Sequence, residues 1–288
     1  MYENIQEYYF PKSIPDAVNK LLQKPLGSTI ICTGAINLTW RKLPKVKTVI
    51  DISRLGLNYI KFDKNRIRIG ATTILQEIIE SKSLAKFADG IIAESASYWS
   101  SRLQRNLTPL GGIFENFVPT ADIITTLLAL DTHLVIQGKK TRTIPLSAFY
   151  LGPWKIDLKN EFIRELIIPK PRTTVTAAFD RIAIIASDIS LMNCAVKLEL
   201  QRGVCNTIRI AVGGGLPYPK RIPDLEKELE GKKINQALLE SVSRKLAEYI
   251  APISDFRASA EYRKEIATVL LKRTLMKLPA ASCGVSSW

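Results

Sequence analysis

Apolar positions along the chain follow two spacings, and each spacing marks an element. Behind Ser13 and Pro15, which suit the cap and first position of a helix, Ala17, Val18, Leu21 and Leu22 recur at helical intervals. Apolar runs over 28–32 and 46–50 read as strands, so a small α/β unit is expected first. Residues 59–62 and 66–69 read as hairpin arms around Asp63-Lys64-Asn65, with Arg66, Ile67, Arg68 and Ile69 alternating at period two. Helices are expected over 74–79, 91–103 and 123–130, the last opened by Asp122. A second hairpin pairs 134–137 with 142–146 across Gly138-Lys139, and a strand over 162–168 stops at Pro169 and Pro171.

That proline-flanked break near 171 is the expected domain boundary. Beyond it, strands are predicted over 174–182, 191–201 and 204–212, the last two joined at Gly203. Gly213-Gly214-Gly215 and Pro217, Pro219 and Pro223 end that sheet, and helices follow over 236–249 and 258–276. The small, polar tail 279–288 is expected to be mobile. Hairpins are too frequent for a doubly wound parallel sheet, so the pattern predicts an α+β protein of two or three lobes.

Composition narrows this. The 288 residues are 46% hydrophobic and 24% charged, a globular balance. Apolar runs such as 123–130 fall far short of the roughly 20 residues that span a bilayer. The opening MYENIQEYYF has acidic residues and no apolar stretch, so no secretory leader and a cytoplasmic location are expected. Four cysteines without C-x-x-C spacing exclude the usual iron–sulfur patterns, and one histidine, His133, excludes a histidine-rich metal site. The net charge is +14, with nine basic residues against two acidic ones between positions 41 and 70. Such a stretch suits phosphates, nucleic acid or an acidic partner, or is simply a solvated surface. No helix-turn-helix, RNP or zinc signature supports nucleic acid.

Two glycine-bearing turns are candidates for chemistry. The first, Thr33-Gly34-Ala35-Ile36-Asn37-Leu38, follows a strand; small residues there let a ligand approach backbone N–H groups, though an ordinary turn reads the same way. The second places Gly111-Gly112 ahead of Pro119 and Asp122. Its glycines can form an anion nest and Asp122 can accept from ligand hydroxyls, or Asp122 merely caps a helix. Gly213-Gly214-Gly215 lacks a following Lys-Ser/Thr and reads as a strand-ending turn. No acid–base pair or nucleophile elbow assembles.

Taken in order, these segments resemble the FAD-binding medium subunits of the xanthine dehydrogenase and carbon monoxide dehydrogenase family, over nearly the whole chain. Residues 33–38 are similar to its A-G-G-T-D-L, Ile69-Gly70-Ala71-Thr72-Thr73 to its I-G-A-x-T, and 105–130 to R-N-x-A-T-I-G-G-N, S-P-x-x-D and a helix ending L-L-A-L. Arg181 with Ser187-Asp188-Ile189-Ser190 resembles its R and D-I-A. Arg209 to Pro219 resembles R-x-A-x-G-G-x-x-x-x-P, and the stretch from Pro252 to Arg263 matches P-x-x-D-x-R-A-S-A-x-Y-R almost letter for letter. The resemblance implies a two-lobed FAD-binding domain over 1–171 (a small α/β lobe to about 54, then a mixed-sheet lobe) and a C-terminal α+β lobe with an antiparallel sheet and helices over 172–278. It implies FAD held by Thr33, Gly34, Ala35, Ile36, Asn37, Leu38, Gly111, Gly112, Asp122 and Asp188. It also implies a 2Fe–2S subunit delivering electrons, a molybdopterin subunit acting on substrate, NAD⁺ or another acceptor, and a heterotrimer.

The chain departs from the family at the turns that touch FAD. Ala35 adds a methyl, Ile36 deletes a hydroxyl, Pro109 removes a hydroxyl and a backbone N–H, and Ile113 replaces an amide. Each lost hydrogen bond weakens binding by about 0.5–1.5 kcal/mol. Two readings follow: FAD held by the remaining donors, or a scaffold subunit that has lost it.

Overall fold

The computed structural model describes residues 4–33, 45–114, 120–152, 155–156, 158, 160–171 and 173–278. The tail 279–288 lies outside them. The first lobe is β1 (Glu7–Tyr9), α1 (Ile14–Leu22), β2 (Thr29–Cys32) and β3 (Thr48–Asp51), with a parallel sheet ordered β1-β3-β2. Ser13 caps α1 by accepting from the Asp16 N–H at 3.3 Å. The buried face of α1 (Ala17, Val18, Leu21) packs with Ile50, Ile52 and Leu57. Strand β1 was not anticipated, since three residues in a parallel pairing leave no alternation to read.

The second lobe holds β4 (Ile60–Phe62), β5 (Arg66–Gly70), α2 (Leu75–Glu80), α3 (Ile91–Ser97), α4 (Arg102–Arg105), α5 (Leu110–Ile113), α6 (Asp122–Ala129), β6 (His133–Gln137), β7 (Thr141–Pro145), the small hairpin β8 (Tyr150–Gly152) and β9 (Lys155–Ile156), and β10 (Phe162–Pro169). The α+β lobe is as expected, with one refinement. Its sheet, expected to be mixed, runs antiparallel at every described pairing, in the order β4-β5-β10-β6-β7, because β10 returns between the two hairpins. The single helix expected over 91–103 is two. Ser100 takes a left-handed φ of 41°, and Ser101 caps α4. The Arg105 guanidinium then donates to the carbonyls of Ser97, Trp99 and Ser100 at 3.1, 3.3 and 2.9 Å, satisfying groups that a helix end leaves open.

The third lobe is a four-stranded antiparallel sheet, β11 (Val175–Ile182), β12 (Met192–Gln201), β13 (Val204–Gly213) and β14 (Lys220–Arg221), with α7 (Pro223–Leu229), α8 (Gln236–Tyr249) and α9 (Ala260–Met276). Arg202 and Gly203 both have positive φ, 53° and 80°, the geometry of a two-residue hairpin turn. Strand alternation divides the sheet cleanly. Met192, Cys194, Val196 and Leu198 join the core with Leu239, Val242 and Leu271 of α8 and α9. The opposite face offers Ala177, Phe179, Ala195 and Ala211 to the core of the second lobe, where α3 and α6 lie. Small residues on that face let α6 lie flat. Among the described residues no helix is long and apolar enough to cross a membrane.

Candidate functional site

Thr33, the first residue of the first turn, meets the second turn. Ile31, Cys32 and Thr33, at the carboxyl end of β2, face Pro109, Gly111 and Gly112 across a shallow cleft, with Ile52, Ala71, Phe162 and Ile163 completing its walls. Ligands of open parallel sheets sit at the carboxyl ends of their strands, which is where this cleft opens. Gly34, Ala35, Ile36, Asn37 and Leu38 lie outside the described residues, as does Pro119.

The second turn is built by crowding. A Cβ at Gly70 would fall on the Leu57 carbonyl, because β5 ends against the backbone of residues 57–59; the Gly70 N–H donates to Tyr59 O at 2.9 Å and Thr72 N–H to Leu57 O at 3.1 Å. This seats Ala71 beneath the turn. A Cβ at Gly111 would lie 2.8 Å from the Ala71 Cβ and 3.1 Å from its carbonyl oxygen, so only glycine lets the turn lie on residue 71. The N–H groups of Leu110, Gly111 and Gly112 donate inward to the carbonyls of Thr73, Ala71 and Pro109 at 2.8, 2.9 and 3.2 Å. The turn therefore offers a ligand mainly its flat Cα surface. Among the described residues the cleft is lined without a charged side chain, and Thr33 supplies a hydroxyl. Small, apolar walls with few polar groups between two lobes fit an extended, largely planar cofactor.

Asp122 and Asp188 belong to a second cluster, where α6 meets the third lobe. Asp122 is the first residue of α6 and does not cap it; Ala121 holds the cap position. Its Oδ1 accepts from Ser190 Oγ and from Asn193 Nδ2 (2.6 Å), and its Oδ2 lies 3.6 Å from the Arg181 guanidinium. Burial pushes this carboxyl above the usual range, opposed by Ser190, Arg181 and Asn193. Asn193 also donates to Thr120 O (2.9 Å) and accepts from Thr125 Oγ1 (2.7 Å), so both its N–H groups and its carbonyl oxygen have partners. A Cβ at Gly213 would lie 2.8 Å from Thr125 Oγ1, and so the glycine run that ends β13 makes room for this network. Arg181 stacks over Tyr98 at 4.7 Å and donates to the carbonyls of Asp188 and Ala186, fixing the loop between β11 and β12. Asp188 accepts from Ile189 N–H at 2.8 Å.

Thus Thr33, Gly111 and Gly112 come together, and Asp122 joins Asp188 through Arg181. Asn193 escaped notice, although an amide within the apolar run Met192-Asn193-Cys194-Ala195-Val196 is itself a signal: a buried polar side chain must have partners. Ala71 gave no signal beyond the motif that carries it. No group of three or more metal-ligating side chains occurs among the described residues.

Comparison with known proteins covers both parts of the chain. Residues 3–171 match the family model of the FAD binding domain in molybdopterin dehydrogenase, and residues 177–278 match that of the CO dehydrogenase flavoprotein C-terminal domain. The chain is 26% identical to the xanthine dehydrogenase FAD-binding subunit of Escherichia coli O157:H7, covering 96% of this chain and 97% of that one. It is 29% identical to the nicotine 6-hydroxylase medium subunit of Paenarthrobacter nicotinovorans, over 95% and 97%. Among solved structures, the carbon monoxide dehydrogenase of Hydrogenophaga pseudoflava superposes with a TM-score of 0.87 at 26% identity, over 98% of this chain and 99% of that one.

Proposed function

The chain belongs to the FAD-binding subunits of the molybdopterin dehydrogenase family, and from that membership we propose that it carries electrons from a 2Fe–2S subunit, through its FAD, to NAD⁺ or another acceptor in a cytoplasmic heterotrimer whose molybdopterin subunit acts on the substrate. FAD supplies the redox chemistry when bound, and the chain supplies position and electrostatics. The observation that carries the reading is the convergence of Thr33 and the Gly111-Gly112 turn at the open end of the parallel sheet.

In this reading residues 33–38 and the face of Gly111 and Gly112 hold the diphosphate and ribityl side of FAD. Asp122 would offer Oδ2 to a ligand hydroxyl, since Oδ1 already takes two donors. Asp188, whose carbonyl accepts from Arg181, would lie on the flavin-ring side. The chain divides accordingly at residue 171, with sub-lobes meeting near 54, and residues 172–278 close the ring end. The substrate is set by the molybdopterin subunit.

Anaerobic mixing with the prereduced iron–sulfur subunit tests the reading. Flavin absorbance should fall on mixing and recover on adding the acceptor. A flavin that stays oxidised beside a reduced, bound iron–sulfur subunit would contradict it.

A further inference from the structure

A second cavity, of about 190 Å³, opens at the seam between the second and third lobes. It shares no lining residue with the glycine cleft. Leu128, near the end of α6, lines it, and the rise of the helix sets that residue roughly 9 Å from Asp122 at the start of α6. The other walls come from the segment after β7 and from the connection into β14 and α7.

The cavity has an apolar floor and a polar rim. Leu128, Leu146 and Tyr150 are buried, whereas Ser147 and Lys220 are exposed. The Tyr150 ring is fixed in place. Its hydroxyl donates to Phe114 O at 3.4 Å, and Phe149 packs edge-on against it at 5.2 Å. Tyr218 stands beside it, with ring centroids 5.9 Å apart and planes 30° from parallel. Two tyrosine rings set beside buried leucines make a preorganised surface for a third flat ring.

Size and charge decide the ligand. Cavities of roughly 150 Å³ accept a benzene-sized ring, and larger ligands use clefts of roughly 300 Å³ or more, so a single ring with a small substituent fits here. Two cations line the cavity. Arg221 is already matched, by Asp131 at 2.6 Å and by Glu226 at 2.5 Å. Lys220 forms no ion pair among the described residues, and among them no acidic side chain lines the cavity. The uncompensated charge is therefore one ammonium at the rim, which favours a carboxylate and disfavours an amine.

We propose that this seam cavity binds a small aromatic carboxylate, its ring against Tyr150, Tyr218 and the two leucines and its carboxylate at the rim with Lys220 and Ser147. The site is separate from the cofactor cleft and does not depend on the function proposed above.

Fluorine NMR of para-fluorobenzoate with the full chain tests this. The probe should bind saturably, and should still bind when FAD is saturating. Lys220→Glu and Ser147→Trp, both at exposed positions, should each weaken it by about tenfold or more. Lys264→Glu, at an exposed position of α9, should leave it unchanged. para-Fluorobenzylamine should bind more weakly than the benzoate. Hydrogen exchange of the wild-type chain, which needs no variant to fold, should slow at 146–150 and 218–223 when benzoate is added. Absence of saturable binding overturns the inference and leaves a water-filled seam. Wild-type affinity in both rim variants overturns it and places the probe elsewhere, and displacement of the probe by FAD overturns it in favour of the cofactor cleft. An amine that binds as well as the benzoate overturns the assignment of a carboxylate.

Discussion

Gly111 and Gly70 show how closely residue identity is set where the cleft is built. Each is glycine because another backbone segment or a β-carbon occupies the space of its Cβ. Gly111→Ala should cost about 1–3 kcal/mol through overpacking. It should also lift the turn off Ala71 and lower the FAD content of the purified protein; an alanine variant with unchanged melting temperature and flavin content would contradict this account. Asp255 offers a pH test. The Arg257 hydrogen bond, then its backbone N–H and the Arg263 charge, hold this carboxyl well below the usual range against the opposing effect of burial. The folded chain therefore takes up the proton at lower pH than the unfolded chain. The stabilisation is present in full above the ordinary carboxylate value near ~4 and is lost as pH falls below it. Melting temperatures of wild type and Asp255→Asn should differ at pH 7 and converge in acid; a gap that stays constant would contradict the assignment. In the sequence, the glycine motifs could be read but the reason for them could not. Gly111 looks like a ligand-contact glycine and Gly70 is simply a motif position, yet their crowding partners are Ala71 and Leu57, fixed only by long-range packing.

At the scale of elements, α6 is the joint. It lies on the small-residue face of the third lobe's sheet and is held at both ends by carboxylates. Asp122 meets Asn193 and Ser190 at one end. Just past the other, Asp131 in a left-handed conformation accepts from Lys197 (3.0 Å), Arg209 (3.1 Å) and Arg221 (2.6 Å). Lys197 is buried, and its ammonium depends on Asp131 and on Glu199 at 3.2 Å. Asp131→Asn keeps a side chain that tolerates positive φ but strands these cations. It should cost about 2 kcal/mol, below the full figure for breaking a buried pair because Glu199 and Glu226 remain. Thermal melts would detect this, and an unchanged midpoint would mean that the clamp is not the joint. Most of these elements were legible: period-two alternation marks 66–69, and Asp63-Lys64-Asn65, Gly138-Lys139 and Gly203 mark the turns of the two hairpins and of the long strands of the third lobe. The break at Ser100 was not, because it depends on Arg105 reaching back to three carbonyls. The short α7 was hidden by the prolines around it.

At the scale of the whole molecule, three lobes surround two clusters: the glycine cleft between the first and second, and the Asp122–Arg181 cluster between the second and third. The sequence carried the list of segments and their family order. It could not indicate that Thr33 faces Gly111 and Gly112 while Asp122 and Asp188 gather around Arg181, because that depends on how β10 and α6 cross the lobes. The departures at Ala35, Ile36, Pro109 and Ile113 remove side-chain donors and one N–H. The inward hydrogen bonds of residues 110–112 show that the second turn already gives its own N–H groups to the fold, so a cofactor here rests on shape and on the remaining donors more than on a nest of free amides. The most direct test is the visible absorption spectrum of the purified chain, before and after addition of FAD. The account predicts the two bands of an oxidised flavin, in one-to-one ratio with the chain after addition if not before. A colourless protein that ignores added FAD yet still assembles with its partner subunits would contradict it and identify a scaffold.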